Sequence, residues 1–208
     1  MSDRAGNGRR GAIRVDLLRI ADLIAPGSRV LDVGCGDGEL LRHLARDKEV
    51  DARGLEISQA GVRACVGQGL SVVQGDADTD LRDYPSQAFD YVILSQTLQA
   101  VHNPRQVLGE LVRIGRFAIV SFPNFGHWRM RLSLLARGRM PTVATPWYET
   151  PIIHPCTIKD FAKLCRDEGI AIERRLSIDG EGKTGVFTAP RILANAFGAQ
   201  GVFLLRKR

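Results

Sequence analysis

Between Val30 and Leu41 the chain reads Val-Leu-Asp-Val-Gly-Cys-Gly-Asp-Gly-Glu-Leu-Leu. A short apolar run leads into glycines at alternate positions, Gly34, Gly36 and Gly38, and an apolar pattern of helical spacing starts at Leu40. That order predicts a strand, a tight turn and a helix. Glycines in such a turn permit positive φ and let a ligand approach the backbone without meeting a Cβ. The helix that follows offers unpaired N–H groups and the positive end of its dipole to an anionic or polar ligand group. The expected chemistry is therefore binding of a nucleotide-type cofactor at the first strand-to-helix turn.

The elements that must position this turn are legible in the apolar spacing. The chain has 208 residues and 44% hydrophobic content, enough for one α/β domain with a mainly aliphatic core. Residues 1–12 are expected to form a disordered tail and residues 13–208 a single domain. Strands are predicted at 29–33, 51–57, 70–74, 89–95 and 116–122. Helices are predicted within 13–24 and at about 37–46, 59–67 and 105–114, the third of them capped by Ser58. This alternation implies a parallel sheet with right-handed crossovers and helices on both faces. Ligands in such sheets bind outside the C-terminal strand ends, near the switch point in strand order. The glycine turn, Glu56, Asp76 and Ser95 to Thr97 all fall at strand ends of that kind.

After the fifth strand the pattern breaks. Residues 124–157 are aromatic, basic and proline-marked, with Trp128, Trp147 and Tyr148 and a helical piece at 128–137. An insertion of this length in a compact domain is expected to be a lid or a binding surface. A helix capped by Thr157 follows, then a strand at 170–177, a flexible turn at 180–185, a helix at 191–197 and a last strand at 201–206.

Composition removes several function classes. No apolar run reaches the roughly 18–20 residues of a membrane span, and the polar, basic start has no signal-peptide character. A cytoplasmic protein without a membrane partner is expected. The net charge of +6 permits nucleic-acid binding, but the basic residues are dispersed and not interleaved with aromatics, so no nucleic-acid partner is expected. Cys35, Cys65, Cys156 and Cys165 lack the spacing of a zinc site or a disulfide framework. Asp76, Asp78 and Asp80 read as a solvated acidic loop, and no metal is expected.

A dehydrogenase fingerprint requires glycines at the first, third and sixth positions. Here the sixth position is Glu39, and the glycines stand at the first, third and fifth. No Gly-Lys-Ser/Thr follows, which excludes a P-loop. The turn, with one acidic residue ending the second strand and another after the third, resembles the class I S-adenosylmethionine-dependent methyltransferases over about residues 29–122. The resemblance implies a doubly wound, Rossmann-like α/β fold with a mostly parallel seven-stranded sheet and an antiparallel last strand. It implies S-adenosylmethionine, or S-adenosylhomocysteine, as cofactor. Glu56 would then accept the ribose hydroxyls, with Ile57 beside it, and Asp76 and Ala77 would meet the adenine edge. Gly34, Cys35, Gly36 and Gly38 would leave room for the methionine portion, Asp32 would anchor the turn or the ligand ammonium, and Ser95 would line the site.

A longer resemblance is to the family of the methionine biosynthesis protein MetW, over roughly residues 13–180. It rests on the segments Arg29 to Leu41, Phe89-Asp-Tyr-Val-Ile-Leu-Ser-Gln-Thr-Leu-Gln-Ala-Val101 and Val120-Ser-Phe-Pro-Asn-Phe-Gly-His-Trp-Arg129. Pro146-Trp-Tyr-Glu-Thr-Pro151, His154 and Thr157-Ile-Lys-Asp-Phe161 extend it. The family implies support of methionine synthesis together with a homoserine O-acyltransferase, acetyl- or succinyltransferase, that the protein binds and activates. His127, Trp128, Arg129, Trp147, Tyr148 and His154 are then the expected partner or substrate surface.

The alternative is methyl transfer to a small molecule. It needs alignment of the reactants and, for a weak acceptor, a base. His102, His127, His154 and Tyr148 are the candidate bases, and structural hydrogen bonding explains such histidines equally well. The fourth strand ends in Ser95-Gln96-Thr97-Leu98, without the Asn/Asp-Pro-Pro-aromatic sequence of exocyclic amino methylation, which argues against DNA base methylation.

Overall fold

The structure, a computed structural model, describes residues 13–139, 149–179, 184–185 and 191–208. The expected tail at 1–12, and Trp147 and Tyr148 of the expected surface, lie outside these residues. Helices α1 (Val15–Asp22), α2 (Glu39–Lys48), α3 (Gln59–Val66) and α4 (Pro104–Ile114) alternate with strands β1 (Arg29–Val33), β2 (Asp51–Glu56), β3 (Ser71–Gln74), β4 (Phe89–Ser95) and β5 (Gly115–Pro123). Then come α5 (Trp128–Arg137), α6 (Ile158–Asp167), β6 (Ile170–Ile178), β7 (Thr184–Gly185), α7 (Arg191–Phe197) and β8 (Gln200–Lys207).

The sheet runs β3-β2-β1-β4-β5-β8-β6-β7. The first five strands pair in parallel, and β8 lies antiparallel between β5 and β6. This is the expected α/β sheet of seven main strands. β7 is the addition: Thr184 and Gly185, read as part of a flexible turn, pair with Ile178 and Ser177. A two-residue ladder has no periodicity that a sequence can display.

Alternation along the strands divides the core between the two faces. Ile93 of β4 and Ile119 of β5 pack on one side with Leu17 and Ile20 of α1 and Leu44 of α2. Val92, Leu94 and Val120 pack on the other with Leu108 and Leu111 of α4 and Phe161 of α6. Leu108 and Leu111 are fully buried, and burial of such a side chain contributes about 1.5–3 kcal/mol. The expected helix starts are present. Ser58 Oγ accepts the Gly61 amide at 3.4 Å. Thr157 and Asp160 form a reciprocal capping box, with amide contacts of 3.2 and 3.0 Å, a device worth about 1 kcal/mol. No helix among the described residues is long and apolar enough to cross a membrane.

Strand order reverses at β1, which has β2 on one side and β4 on the other. The crevice outside the C-terminal ends of β1, β2 and β4 is therefore the place this topology provides for a ligand.

Candidate functional site

The glycine turn closes directly after β1. Gly34 and Cys35 donate their amides to the Leu55 carbonyl at 2.7 and 3.3 Å, which ties the turn to β2. Two of its glycines are required for different reasons. Gly34 has φ +72°, and a Cβ there would sit 2.7 Å from Thr97 Oγ1. Gly36 has φ +58° and faces open space, with nothing within 4 Å of a Cβ position. The turn is thus braced at Gly34 and open to a ligand at Gly36.

Glu56, at the end of β2, holds this cradle. Its Oε2 accepts the Gly36 amide and its Oε1 the Ser58 amide, both at 2.8 Å. It is 7% exposed, so it is not a freely solvated strand-end carboxylate. Each oxygen keeps further acceptor capacity for ligand hydroxyls. Asp32, 3% exposed, lies nearby on β1. Its Oδ1 has no hydrogen-bond partner among the described residues. Burial, and then the charge of Glu56, push its carboxyl up to about 7, while Arg14 works in the opposite direction. A buried, unpartnered carboxylate oxygen beside an open glycine turn is a place where a cationic or donor group of a ligand completes the hydrogen bonding.

Gln96, within the strand-end segment expected at the site, is joined by two residues that the sequence reading did not single out, Arg14 and Asp16. Arg14 grips Asp16 through Nε and Nη2 at 3.2 and 2.9 Å. Gln96 donates to Asp16 from the end of β4 at 2.8 Å. Gln96 has φ +56°, a left-handed conformation uncommon for a residue other than glycine. Local strain of this kind at a strand end is held by its surroundings, here the Asp16 contact and an amide bond to the Ser121 carbonyl at 2.8 Å.

A cavity of about 150 Å3 opens beside the turn, walled by Val33, Leu55, Ile57, Ala77, Thr97 and Val101. Pockets for whole drug-sized ligands are about 300–1,000 Å3, so this one suits a single ring system. Asp76 lines it, and Asp76 Oδ1 accepts the Asp78 amide at 2.9 Å. The expected solvated acidic loop is instead a set of closures. Asp80 accepts the Asp76 amide at 2.9 Å. Asp78 accepts the amides of His102 and Asn103 at 2.8 and 2.9 Å. Burial opposes ionisation of Asp78, but these amides and the His102 imidazole hold its carboxyl below the ordinary value.

Three expected site residues make their contacts away from the cavity. Gly38 lies against Leu70 and Cys65, whose side chains a Cβ there would meet, that of Cys65 at 2.9 Å. The Cys35 side chain packs into the core with Leu41 and Cys65, and burial pushes its thiol far up, so only its backbone belongs to the turn. Ser95 Oγ pairs with Ser121 Oγ of β5 at 3.1 Å.

The family model of "Methionine biosynthesis protein MetW" matches residues 14–205. The chain belongs to the MetW family. A relative from Rhodopirellula baltica, "Bifunctional methionine biosynthesis protein MetXA/MetW", is 35% identical over 180 residues, 80% of this chain and 29% of that protein. Ajmaline N-methyltransferase of Rauvolfia serpentina is 31% identical over 41% of this chain and 31% of its own length. The chain thus spans less than a third of either of these curated relatives. Among solved structures, a SAM-dependent methyltransferase from Thermotoga maritima superposes with a TM-score of 0.68 at 16% identity, covering 92% of this chain and 87% of that one. Another, from Archaeoglobus fulgidus, gives 0.64 at 18% identity over 96% of both chains. The fold is that of the class I methyltransferases.

In this MetW-family chain the insertion is anchored by polar side chains. Asn124, 1% exposed, donates to the carbonyls of Asn195 and Gly198 at 3.0 and 2.7 Å and accepts the amides of Gly126 and Ile158 at 2.9 and 3.2 Å. Gln99 gathers the other end: its main-chain carbonyl accepts the amides of Ile153 and His154, and its side-chain Nε2 donates to the Pro123 carbonyl at 3.1 Å. His154 Nε2 lies 3.2 Å from the His102 carbonyl, at the rim of the cavity. His127 caps α5, with Nδ1 accepting the Arg129 amide at 3.3 Å. Burial and the Arg129 charge lower its pKa, against a hydrogen bond to the Phe197 backbone. Trp128 carries the Arg129 guanidinium 5.4 Å from its ring centre. His127, Trp128 and Arg129 therefore cluster at the start of α5, and His154 lies apart from them, against His102, which lines the strand-end cavity.

Proposed function

We propose that this chain binds S-adenosylmethionine or S-adenosylhomocysteine at the ends of β1, β2 and β4. We further propose that it serves methionine biosynthesis by binding and activating a homoserine O-acyltransferase. Support for the cofactor comes from the fit of the residues. Glu56, already fixed by Gly36 and Ser58, has lone pairs left for the ribose hydroxyls. Ile57, Asp76 and Ala77 border a cavity of ring size, and Asp32 Oδ1 awaits a donor such as the ligand ammonium. The bound cofactor would supply an activated methyl group. In an accessory protein its occupancy would instead report on methionine supply, since S-adenosylmethionine lies downstream of methionine.

The observation that carries the partner assignment is the Rhodopirellula baltica relative, whose name joins MetXA and MetW in one chain. Tethering two units raises their effective concentration, and a pair joined in one organism is a natural pair to associate as separate chains in another. The docking surface we assign is α5. None of its residues is buried, and Trp128, Leu132 and Leu135 recur on one side at 42%, 53% and 84% exposure. Arg131 borders this side by helical spacing, and the Arg129 guanidinium lies 5.4 Å from the Trp128 ring centre. Contiguous exposed apolar residues mark interaction sites, and Trp and Arg are enriched at binding hot spots.

Mixing the purified chain with homoserine O-acyltransferase is expected to give co-elution and a raised rate of acyl transfer. Separate elution with an unchanged rate refutes the partner assignment. Calorimetric titration with S-adenosylmethionine and S-adenosylhomocysteine tests the cofactor independently, and absence of binding at millimolar ligand refutes it.

A further inference from the structure

We propose that the cleft between α6 and strands β6 and β8 is a second ligand site, specific for a small organic phosphate. It encloses about 580 Å3, within the range of small-molecule pockets, and it shares no described lining residue with the strand-end cavity.

A β-bulge builds this cleft. Ile172 pairs with Leu205 and Arg174 with Leu204, leaving Glu173 as an extra residue. Before the bulge, Ile170 and Ile172 face α6, packing in one cluster with Phe161 and Cys165. Unbroken alternation would continue that face through Leu176 and Ile178. Both instead pack on the opposite face with Ile20 and Val202. The extra residue has reversed the parity, and Arg175 and Ser177 line the α6 side. The bulge thus puts a guanidinium and a hydroxyl on the α6 side, where unbroken alternation would put Leu176 and Ile178.

Ser177 supplies the second observation. It is 3% exposed and its Oγ has no hydrogen-bond partner among the described residues. An unsatisfied buried hydroxyl costs about 1–3 kcal/mol, a penalty that a ligand oxygen in the cleft would remove. Charge fixes the ligand class. Lys159, Lys163 and Arg166 line the cleft from successive turns of α6, Arg175 from β6 and Arg208 from beyond β8. Asp160, the acidic residue in the described lining, has its carboxylate engaged by Thr157 in the capping box. The first amides of α6 are occupied as well, Ile158 by Asn124 and Lys159 by Asn195, so the positive character belongs to the side chains. Lys163 is paired with Asp167 one turn on, so Lys159, Arg166 and Arg208 supply the positive charge in the lining that suits the oxygens of a phosphate group. The apolar strip of Ile158, Ile170 and Ile172 gives an organic body somewhere to lie.

The test is titration of the full chain with 1-naphthyl phosphate and with inorganic phosphate, by fluorescence and calorimetry. The expected result is saturable binding of 1-naphthyl phosphate at least tenfold tighter than inorganic phosphate. The double variant Lys159→Ala with Arg166→Ala changes exposed residues and should lose at least tenfold in affinity. Ser177→Ala should weaken binding several-fold with no fall in Tm, because the hydroxyl it removes is unpartnered. Absence of saturable binding, or undiminished affinity in the double variant, overturns the proposal. Equal affinity for the two phosphates overturns the organic part of it.

Discussion

The carboxylates of Asp32 and Glu56 stand at the ends of adjacent strands, and they differ in what they hold. Glu56 accepts two amides of the turn, whereas Asp32 Oδ1 accepts none among the described residues. Burial and the neighbouring Glu56 charge lift the Asp32 carboxyl from 3.8 to about 7, with Arg14 opposing. A carboxyl raised on folding keeps its proton longer in the folded chain than in the unfolded one. Its stabilising contribution is fully present below about pH 4 and is lost as the pH rises through about 7. The loss is on the order of 4 kcal/mol at most, from about 1.4 kcal/mol per pKa unit. The thermal unfolding midpoint should therefore fall between about pH 4 and pH 7, and Asp32→Asn should flatten that fall by several degrees. Parallel profiles for the two proteins would contradict this account of Asp32.

The same carboxyl gives a signature for ligand binding. A cationic ligand group placed against Asp32 favours its ionised form, so binding of S-adenosylmethionine near pH 6 should release a proton. Calorimetry in buffers of different ionisation enthalpy measures that proton directly. We expect roughly half a proton or more for the wild type and none for Asp32→Asn. Proton release that persists in the variant would place the ionising group elsewhere.

Gly34 and Gly36 should respond differently to alanine. Both lie at positive φ, a penalty of roughly 1–2 kcal/mol for alanine. At Gly34 the new Cβ also meets Thr97 Oγ1 at 2.7 Å, whereas at Gly36 it meets nothing within 4 Å. Gly34→Ala should therefore lower Tm by clearly more than Gly36→Ala. Gly36→Ala should leave the chain folded yet weaken S-adenosylmethionine binding by tenfold or more. Circular dichroism melts and calorimetric titration separate the two effects, and wild-type affinity in Gly36→Ala would exclude that turn as the ligand cradle.

Asn124 should be a stability residue rather than a ligand residue. Its side chain makes four hydrogen bonds to backbone groups from Asn195, Gly198, Gly126 and Ile158. Asn124→Ala would leave buried donors and acceptors without partners, at about 1–3 kcal/mol each. The expected loss in urea unfolding is on the order of 3–5 kcal/mol. A loss below about 1 kcal/mol would mean that water replaces the amide.

These cases mark where the sequence is readable. The strand, turn and helix around Gly34 to Gly38 follow from local spacing. So do both ends of α5, where His127 precedes the apolar pattern and Gly138 ends it in the left-handed conformation. Contacts between distant residues leave no such trace. Asp16 and Gln96 are polar residues in unrelated segments until folding joins them, and Asp78 reads as one more solvated carboxylate until His102 and Asn103 arrive. Glu56 is recognisable as a strand-end acid, but its bracing of Gly36 is not. The bulge at Glu173 is invisible too, because one extra residue in a strand changes no composition and only reverses which face each later side chain meets.

The exposed side of α5 gives the most direct test of the partner assignment. Leu132 and Leu135 are 53% and 84% exposed, and no residue of the helix is buried. Their replacement should change stability by less than about 0.5 kcal/mol, the usual scale for surface substitutions. At an interface centre the effect is different, because a carboxylate pressed against an apolar partner surface is desolvated without a counter-charge. Leu132→Glu with Leu135→Glu should therefore melt like the wild type and retain S-adenosylmethionine binding. It should also fail to co-elute with homoserine O-acyltransferase or to raise its rate. A variant that folds, binds cofactor and still activates the acyltransferase would move the docking surface away from α5.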